Sequence, residues 1–223
     1  MMTSGRAAIY GGTFDPVHNG HIQVAGRILE LFELDEVIFV PACMPPHKRG
    51  AGITSAFHRF AMLAAATQPE QRWRISTIEL DAPNRPYAVD TVARMQAQMG
   101  ASRRLSFVLG ADSWLEIKAW HEWQRLLQMC DLIVVSRPGY DLSGSTPAGV
   151  ANVLDVRGMD QQELSRLLKT DSGPRVFLTD AVMVDVSATA IRAAARSGDT
   201  EKLREMVPPP VANYIEKYEL YQN

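Results

Sequence analysis

From residue 7 to residue 178, short apolar runs alternate with amphipathic stretches, and that alternation is the tightest constraint on what this chain can fold into. The runs are Ala7–Tyr10, Glu36–Val40, Arg74–Leu80, Leu105–Leu109, Leu132–Ser136 and Val176–Leu178. Helical patterns lie between them at Ile22–Leu34, Phe57–Thr67, Val89–Met99 and Glu122–Met129. A strand–helix–strand succession makes neighbouring strands parallel and needs helices over the sheet. The expected class is therefore α/β, a doubly wound, mostly parallel sheet with helices on both faces. In such sheets ligands sit beyond the carboxyl ends of the strands, where strand order reverses. The loops that follow the strands are the ones to read for chemistry.

The remaining chain departs from this rhythm in two places. Gly139–Pro174 opens on a polar Gly/Ser/Pro-containing stretch and holds one amphipathic segment, Asp160–Leu168. It reads as a connection with a peripheral helix, an insertion at about 139–174 rather than a second domain. Beyond Leu178 the pattern turns helical, at Ser187–Ser197, Thr200–Met206 and, after Pro208-Pro209-Pro210, Val211–Tyr218. Asp199 or Thr200 and the prolines supply start signals. We expect one domain over residues 1–223, an α/β core to residue 178 and a helical C-terminal part from 179.

With 223 residues the chain is long enough for one well-buried α/β domain. A formal net charge of −2 with 22% charged residues offers no clustered basic face, which argues against a nucleic-acid partner and for small-molecule chemistry. Cys43 and Cys130 belong to no CxxC pattern and read as reduced thiols. No charged-then-apolar leader and no run of about 20 apolar residues is present, so a cytoplasmic location without membrane attachment is expected.

The segment Gly11-Gly12-Thr13-Phe14-Asp15-Pro16-Val17-His18-Asn19-Gly20-His21 joins the first run to the first helical pattern. A strand, a glycine-rich loop and a helix start gather free N–H groups at the positive end of a helix dipole, which favours a phosphate. His18 and His21, three residues apart, share one face of the first turn and point at the same anion. A zinc pair is the rival reading, but no third ligand cluster stands at recognisable spacing. No GxxxxGK[ST] loop, GxGxxG after the first strand, GxSxG elbow or HExxH helix occurs, so the phosphate grip rests on this motif and what joins it in space.

Three further stretches follow strand ends. Pro45-Pro46-His47-Lys48 presents a histidine and a lysine on a stiffened loop. Asp185-Val186-Ser187-Ala188-Thr189-Ala190-Ile191-Arg192 offers a capped helix start with a guanidinium one turn in, a set able to hold a polyphosphate tail. Gly110-Ala111-Asp112-Ser113 places a carboxylate where it is either an N-cap or a ribose contact. Trp114, Trp120 and Trp123 crowd the next segment; each is a core anchor or a surface to stack on a flat heteroaromatic ring.

Together these residues resemble the HxGH nucleotidyltransferases, a Rossmann-like superfamily, and more narrowly the bacterial nicotinate-nucleotide adenylyltransferases. The resemblance rests on GGTFDPVHNGH at 11–21, PPHK at 45–48, RPYAVDT at 85–91, GADS at 110–113, AW at 119–120, SRPGY at 136–140 and VSATAIR at 186–192. It implies transfer of AMP from ATP, with Mg2+, to nicotinate mononucleotide, giving deamido-NAD and pyrophosphate in NAD biosynthesis. His18, His21, Lys48 and Arg192 are then the catalytic set. ATP would be held by Gly11, Gly12, Thr13, Phe14, His47, Gly110, Asp112, Arg137, Ser187 and Ile191. Tyr87, Ala88, Thr91 and Trp120 would hold nicotinate mononucleotide, with Trp120 stacked on the ring. No residues are implied as dedicated metal ligands, and homo-oligomerisation is left open.

Ala88 departs from the family, which often has a hydroxyl residue there. Backbone N–H groups holding the pyridine carboxylate tolerate alanine, whereas an essential hydroxyl does not. Nicotinamide mononucleotide is therefore a rival acceptor. Phosphopantetheine is another, because its adenylyltransferases share the HxGH loop and a similar C-terminal serine motif. A non-catalytic nucleotide-binding module is the rival from another class.

Overall fold

The computed structural model describes residues 5–43, 52–100, 102–136, 146–147, 149–170, 173–180 and 186–222. Seven strands form one sheet: β1 (Arg6–Gly12), β2 (Glu36–Pro41), β3 (Trp73–Ile75), β4 (Arg104–Gly110), β5 (Asp131–Val135), β6 (Val153–Asp155) and β7 (Val176–Thr179). Their order is β3-β2-β1-β4-β5-β7-β6, and each pairing is parallel. The helices are α1 (Asn19–Leu31), α2 (Ala56–Thr67), α3 (Ala88–Met99), α4 (Ala111–Leu115), α5 (Trp123–Met129), α6 (Gln161–Leu168), α7 (Ala188–Ser197), α8 (Thr200–Met206) and α9 (Pro209–Lys217), with a 3-10 turn at Ile117–Ala119.

Alternation along the strands decides which face each residue serves. Ala8, Val37, Phe39, Val108, Ile133 and Phe177 point into a core shared with α1, α2, α6, α7, α8 and α9. Their neighbours Ala7, Ile38, Ile9, Phe107, Leu132 and Leu178 point the other way, onto α3, α4 and α5. Strands buried on both faces are apolar almost throughout, which is why they read as continuous runs in the sequence. In α1 the inward stripe is Ala25, Ile28 and Leu29, a spacing of three and four residues that keeps one face on the sheet.

Two parts of the sequence reading need correction. The third strand ends at Ile75 rather than Leu80. From there the backbone turns, because Ser76 Oγ accepts the Ile78 N–H and Thr77 bonds Asp81 through both its carbonyl and its hydroxyl, so local side chains compete with the ladder. The insertion is also more than a peripheral helix: its Val153–Asp155 stretch pairs with β7 and adds an edge strand. Three residues are too short a run to stand out by periodicity.

Candidate active site

The strand order reverses between β1 and β4, and the chain leaves these two strands toward opposite faces of the sheet. A cleft of about 720 Å³ opens there, at the carboxyl ends of the strands. Its lining brings together segments far apart in sequence: Gly11–Asp15, His18 and His21, Tyr87 and Ala88, Gly110 and Asp112, Trp120, and Ser187.

The loop after β1 owes its shape to close packing. A Cβ at Gly12 would lie 2.9 Å from the Phe14 ring, so only glycine lets that ring fold back over the strand end. Phe14 itself has φ +50°, a left-handed backbone that bulky residues adopt only where the surroundings hold them. His18 is the N-cap of α1, and His21 sits three residues into the turn. Their rings stack with centroids 3.7 Å apart and planes 30° from parallel. A Cβ at Gly20 would come within 3.1 Å of His18 Nδ1, so glycine makes room for the ring over the helix start. His21 Nδ1 accepts the His18 N–H at 3.2 Å, which in the neutral ring puts the proton on Nε2. Asn19 and Gly20 carry the first N–H groups of the helix, which have no acceptor within it.

Across the cleft, Ser187 caps α7 by accepting the Ala190 N–H at 3.2 Å. Arg192 reaches back to the loop after β1 and donates to the Asp15 carbonyl at 2.7 Å, and to Thr189 Oγ1 at 3.3 Å. Ile191 lies fully buried in the core beneath α7, behind the lining rather than in it. His47, Lys48 and Arg137 lie outside the described residues.

The third wall belongs to the N-terminus of α3. Tyr87 is its N-cap, and the Tyr87 N–H is taken by the Asp90 carboxylate at 3.1 Å. Ala88 and Val89 then supply N–H groups without helical acceptors. Trp120 meets Phe107 edge-on at 6.1 Å and presents a half-buried ring to the cleft, whereas Trp114 is a core anchor with no exposed surface. Thr91 is buried behind this wall, and its hydroxyl donates to Glu79 Oε1 at 2.7 Å.

Sequence reasoning missed Glu79, Arg85 and His121, all in the lining. Glu79 fell inside a presumed strand. Burial raises its carboxyl pKa, partly offset by the Thr91 hydrogen bond and by Arg85. His121 stacks on Tyr87 with centroids 4.2 Å apart, so the two close one side of the cleft. The AW signal at 119–120 ended one residue short of it. Cys43 and Cys130 carry free thiols, and burial pushes the Cys130 pKa up. Among the described residues, no helix is long and apolar enough to cross a membrane.

Comparison with known proteins gives one answer. The cytidylyltransferase-like family model matches residues 9–194. A protein of Symbiobacterium thermophilum, described as a "probable nicotinate-nucleotide adenylyltransferase", is 36% identical over 220 residues, covering 97% of this chain and 95% of its own. A Pseudomonas paraeruginosa protein of the same description is also 36% identical, with 97% of each chain covered. In fold, the chain matches the Plasmodium falciparum nicotinic acid mononucleotide adenylyltransferase complexed with NaAD, with a TM-score of 0.71 at 18% identity and 97% of each chain covered. The cleft at the β1/β4 switch point and its stacked histidines thus sit in a chain that belongs to the cytidylyltransferase-like family, among the nicotinate-nucleotide adenylyltransferases.

Proposed function

We propose that the chain, working as one nucleotidyltransferase domain, transfers AMP from ATP to nicotinate mononucleotide, releasing pyrophosphate and forming deamido-NAD. The observation that carries this reading is the convergence on one cleft of a histidine pair at a helix start, a second capped helix start, and an aromatic wall beside a third. Two anionic partners and a flat ring need that combination.

The acceptor's phosphate is already a nucleophile, so no covalent enzyme intermediate is required. One of its oxygens attacks the α-phosphorus of ATP, a P–O bond forms, and the bond to pyrophosphate breaks. The protein's work is alignment and charge compensation. In this scheme His21 Nε2–H and the first N–H groups of α1 would serve the α-phosphate. Ser187, the start of α7 and Arg192 would receive the departing pyrophosphate, joined by Lys48 and His47. Gly110, Asp112 and Arg137 are assigned to the nucleoside side. Mg2+ bound to the nucleotide would further neutralise phosphate charge. Among the described residues no group of three or more His, Cys, Asp or Glu side chains could hold a metal, so the donor set suits a cation delivered on ATP.

On the acceptor side, the Ala88 and Val89 N–H groups suit a pyridine carboxylate without any hydroxyl at residue 88, and Trp120 suits the ring. The deciding assay follows pyrophosphate release from Mg-ATP with nicotinate mononucleotide, nicotinamide mononucleotide and phosphopantetheine. Turnover is expected with the first, at a kcat/KM above those of the others. Absence of turnover with all three would return the chain to a nucleotide-binding module.

A further inference from the structure

Behind the phosphate loop lies a buried polar cluster that the reaction scheme does not use. Arg59, in the first turn of α2, is only 1% exposed. Its guanidinium donates to three main-chain carbonyls on three separate segments: Thr13 at 2.7 Å, Thr54 at 3.0 Å and Cys43 at 3.2 Å. A buried guanidinium needs a compensating charge, and Asp15 supplies it. Burial draws the Arg59 pKa down while Asp15 pushes it back up.

Asp15 is itself buried, and three groups hold it. Tyr221 Oη donates to Asp15 Oδ1 at 2.9 Å, the Thr54 N–H reaches Oδ2 at 3.4 Å, and Arg192 takes the carbonyl. Burial and the adjacent carboxylate raise the Tyr221 pKa, so the phenol remains a donor throughout the neutral range. Tyr221 adopts φ +70°, a conformation that the rest of the fold must hold in place, as it does for Phe14. Neither Arg59 nor Tyr221 is among the residues lining the cleft, yet both bond the loop that does.

We propose that Arg59, Asp15 and Tyr221 form a positioning unit that holds Thr13–Asp15 in the shape that accepts the nucleotide phosphates. Arg59 acts through the Thr13 carbonyl, and Tyr221 acts through the Asp15 carboxylate. The unit ties the loop after β1 to the loop after β2, to the segment leading into α2 and to the C-terminal residues. The proposal rests on the AMP-transfer reading for the identity of the nucleotide.

The test uses Arg59→Met, Arg59→Lys and Tyr221→Phe in the full chain. The readouts are the Kd of a non-hydrolysable ATP analogue, kcat, and the KM for nicotinate mononucleotide. Arg59→Met should weaken analogue binding about tenfold or more and lower kcat. Arg59→Lys should recover part of the loss, and Tyr221→Phe should lose about threefold. The KM for nicotinate mononucleotide should stay at the wild-type value in all three. Wild-type analogue affinity and kcat in folded Arg59→Met and Tyr221→Phe would overturn the proposal, even with a lowered Tm. If Arg59→Met does not fold, Tyr221→Phe decides by the same criterion. Loss of analogue affinity in the variants, with a wild type inactive toward nicotinate mononucleotide, would defeat the acceptor assignment and leave the positioning unit standing.

Discussion

At the scale of single residues, the proposed reaction gives His21 its most specific role. Its Nδ1 accepts the His18 N–H, a contact that orients the ring and, in its neutral form, leaves the proton on Nε2. A preset donor costs no reorganisation when charge develops at the α-phosphate. His21→Ala should therefore lower kcat by about 10²–10³ with little change in the KM for ATP, the pattern of a contact that strengthens in the transition state. Steady-state kinetics checks this, and a rise in KM at unchanged kcat would assign the ring to ground-state binding. The histidine pair was legible because two imidazoles flank Asn19-Gly20 in one motif. Glu79 was not, since its role depends on burial against Thr91, which no local pattern encodes.

Glu79 also carries a prediction about pH. Its folded-state pKa is raised, mainly by desolvation, so the fold favours the protonated form more than the unfolded chain does. The stability this contributes is present below the unfolded pKa and lost as pH rises through the folded value. Glu79→Gln keeps a neutral side chain at every pH. Its urea midpoint should exceed that of wild type at pH 8, and the difference should shrink as pH falls toward 4. A difference that stays constant over that range would mean Glu79 ionises without penalty.

At the scale of elements, the starts of α1, α3 and α7 all meet at the cleft. The sequence announced one cap, Ser187, but misplaced another, since Gly110 rather than Asp112 is the N-cap of α4. The helical pattern read as Ser187–Ser197 becomes α7 with Ser187 as its cap, and its C-terminal bound, Ser197, agrees with the periodicity. The third strand failed because the same β-branched residues that favour a strand also sit beside Ser76, Thr77 and Asp81, which form a local turn. Ser187→Ala should cost about 1 kcal/mol of stability through the lost cap. It should also raise the KM for ATP, because Ser187 lines the cleft. Urea denaturation and kinetics read the two effects separately. A stability loss with an unchanged KM would confine Ser187 to capping.

At the scale of the whole molecule, parallel strands divide the sheet into two ends with different duties. The carboxyl ends hold the cleft, where left-handed backbone and clustered polar groups are tolerated for function. The amino ends hold a stabilising cluster: Asp131, 4% exposed, accepts from Arg104 Nε at 2.6 Å, from Arg104 Nη2 at 3.0 Å and from the Arg175 N–H at 2.9 Å. This joins the first residue of β4 to the first of β5 and to the residue before β7, fixing the register of three strands at one point. Removing the carboxylate takes the acceptor from the buried Arg175 N–H and leaves Arg104 with its weaker bond from Nη2 to the Gly173 carbonyl at 3.3 Å. Asp131→Ala should lower unfolding free energy by about 3 kcal/mol, the low end for a broken buried pair because Arg104 is partly solvated. Being at the opposite end of the sheet from the cleft, it should leave kcat and both KM values unchanged at a temperature where the variant is folded. An altered KM with native stability would mean that the two ends are coupled through the strands, and that the separation of stability from chemistry along the sheet axis is incomplete.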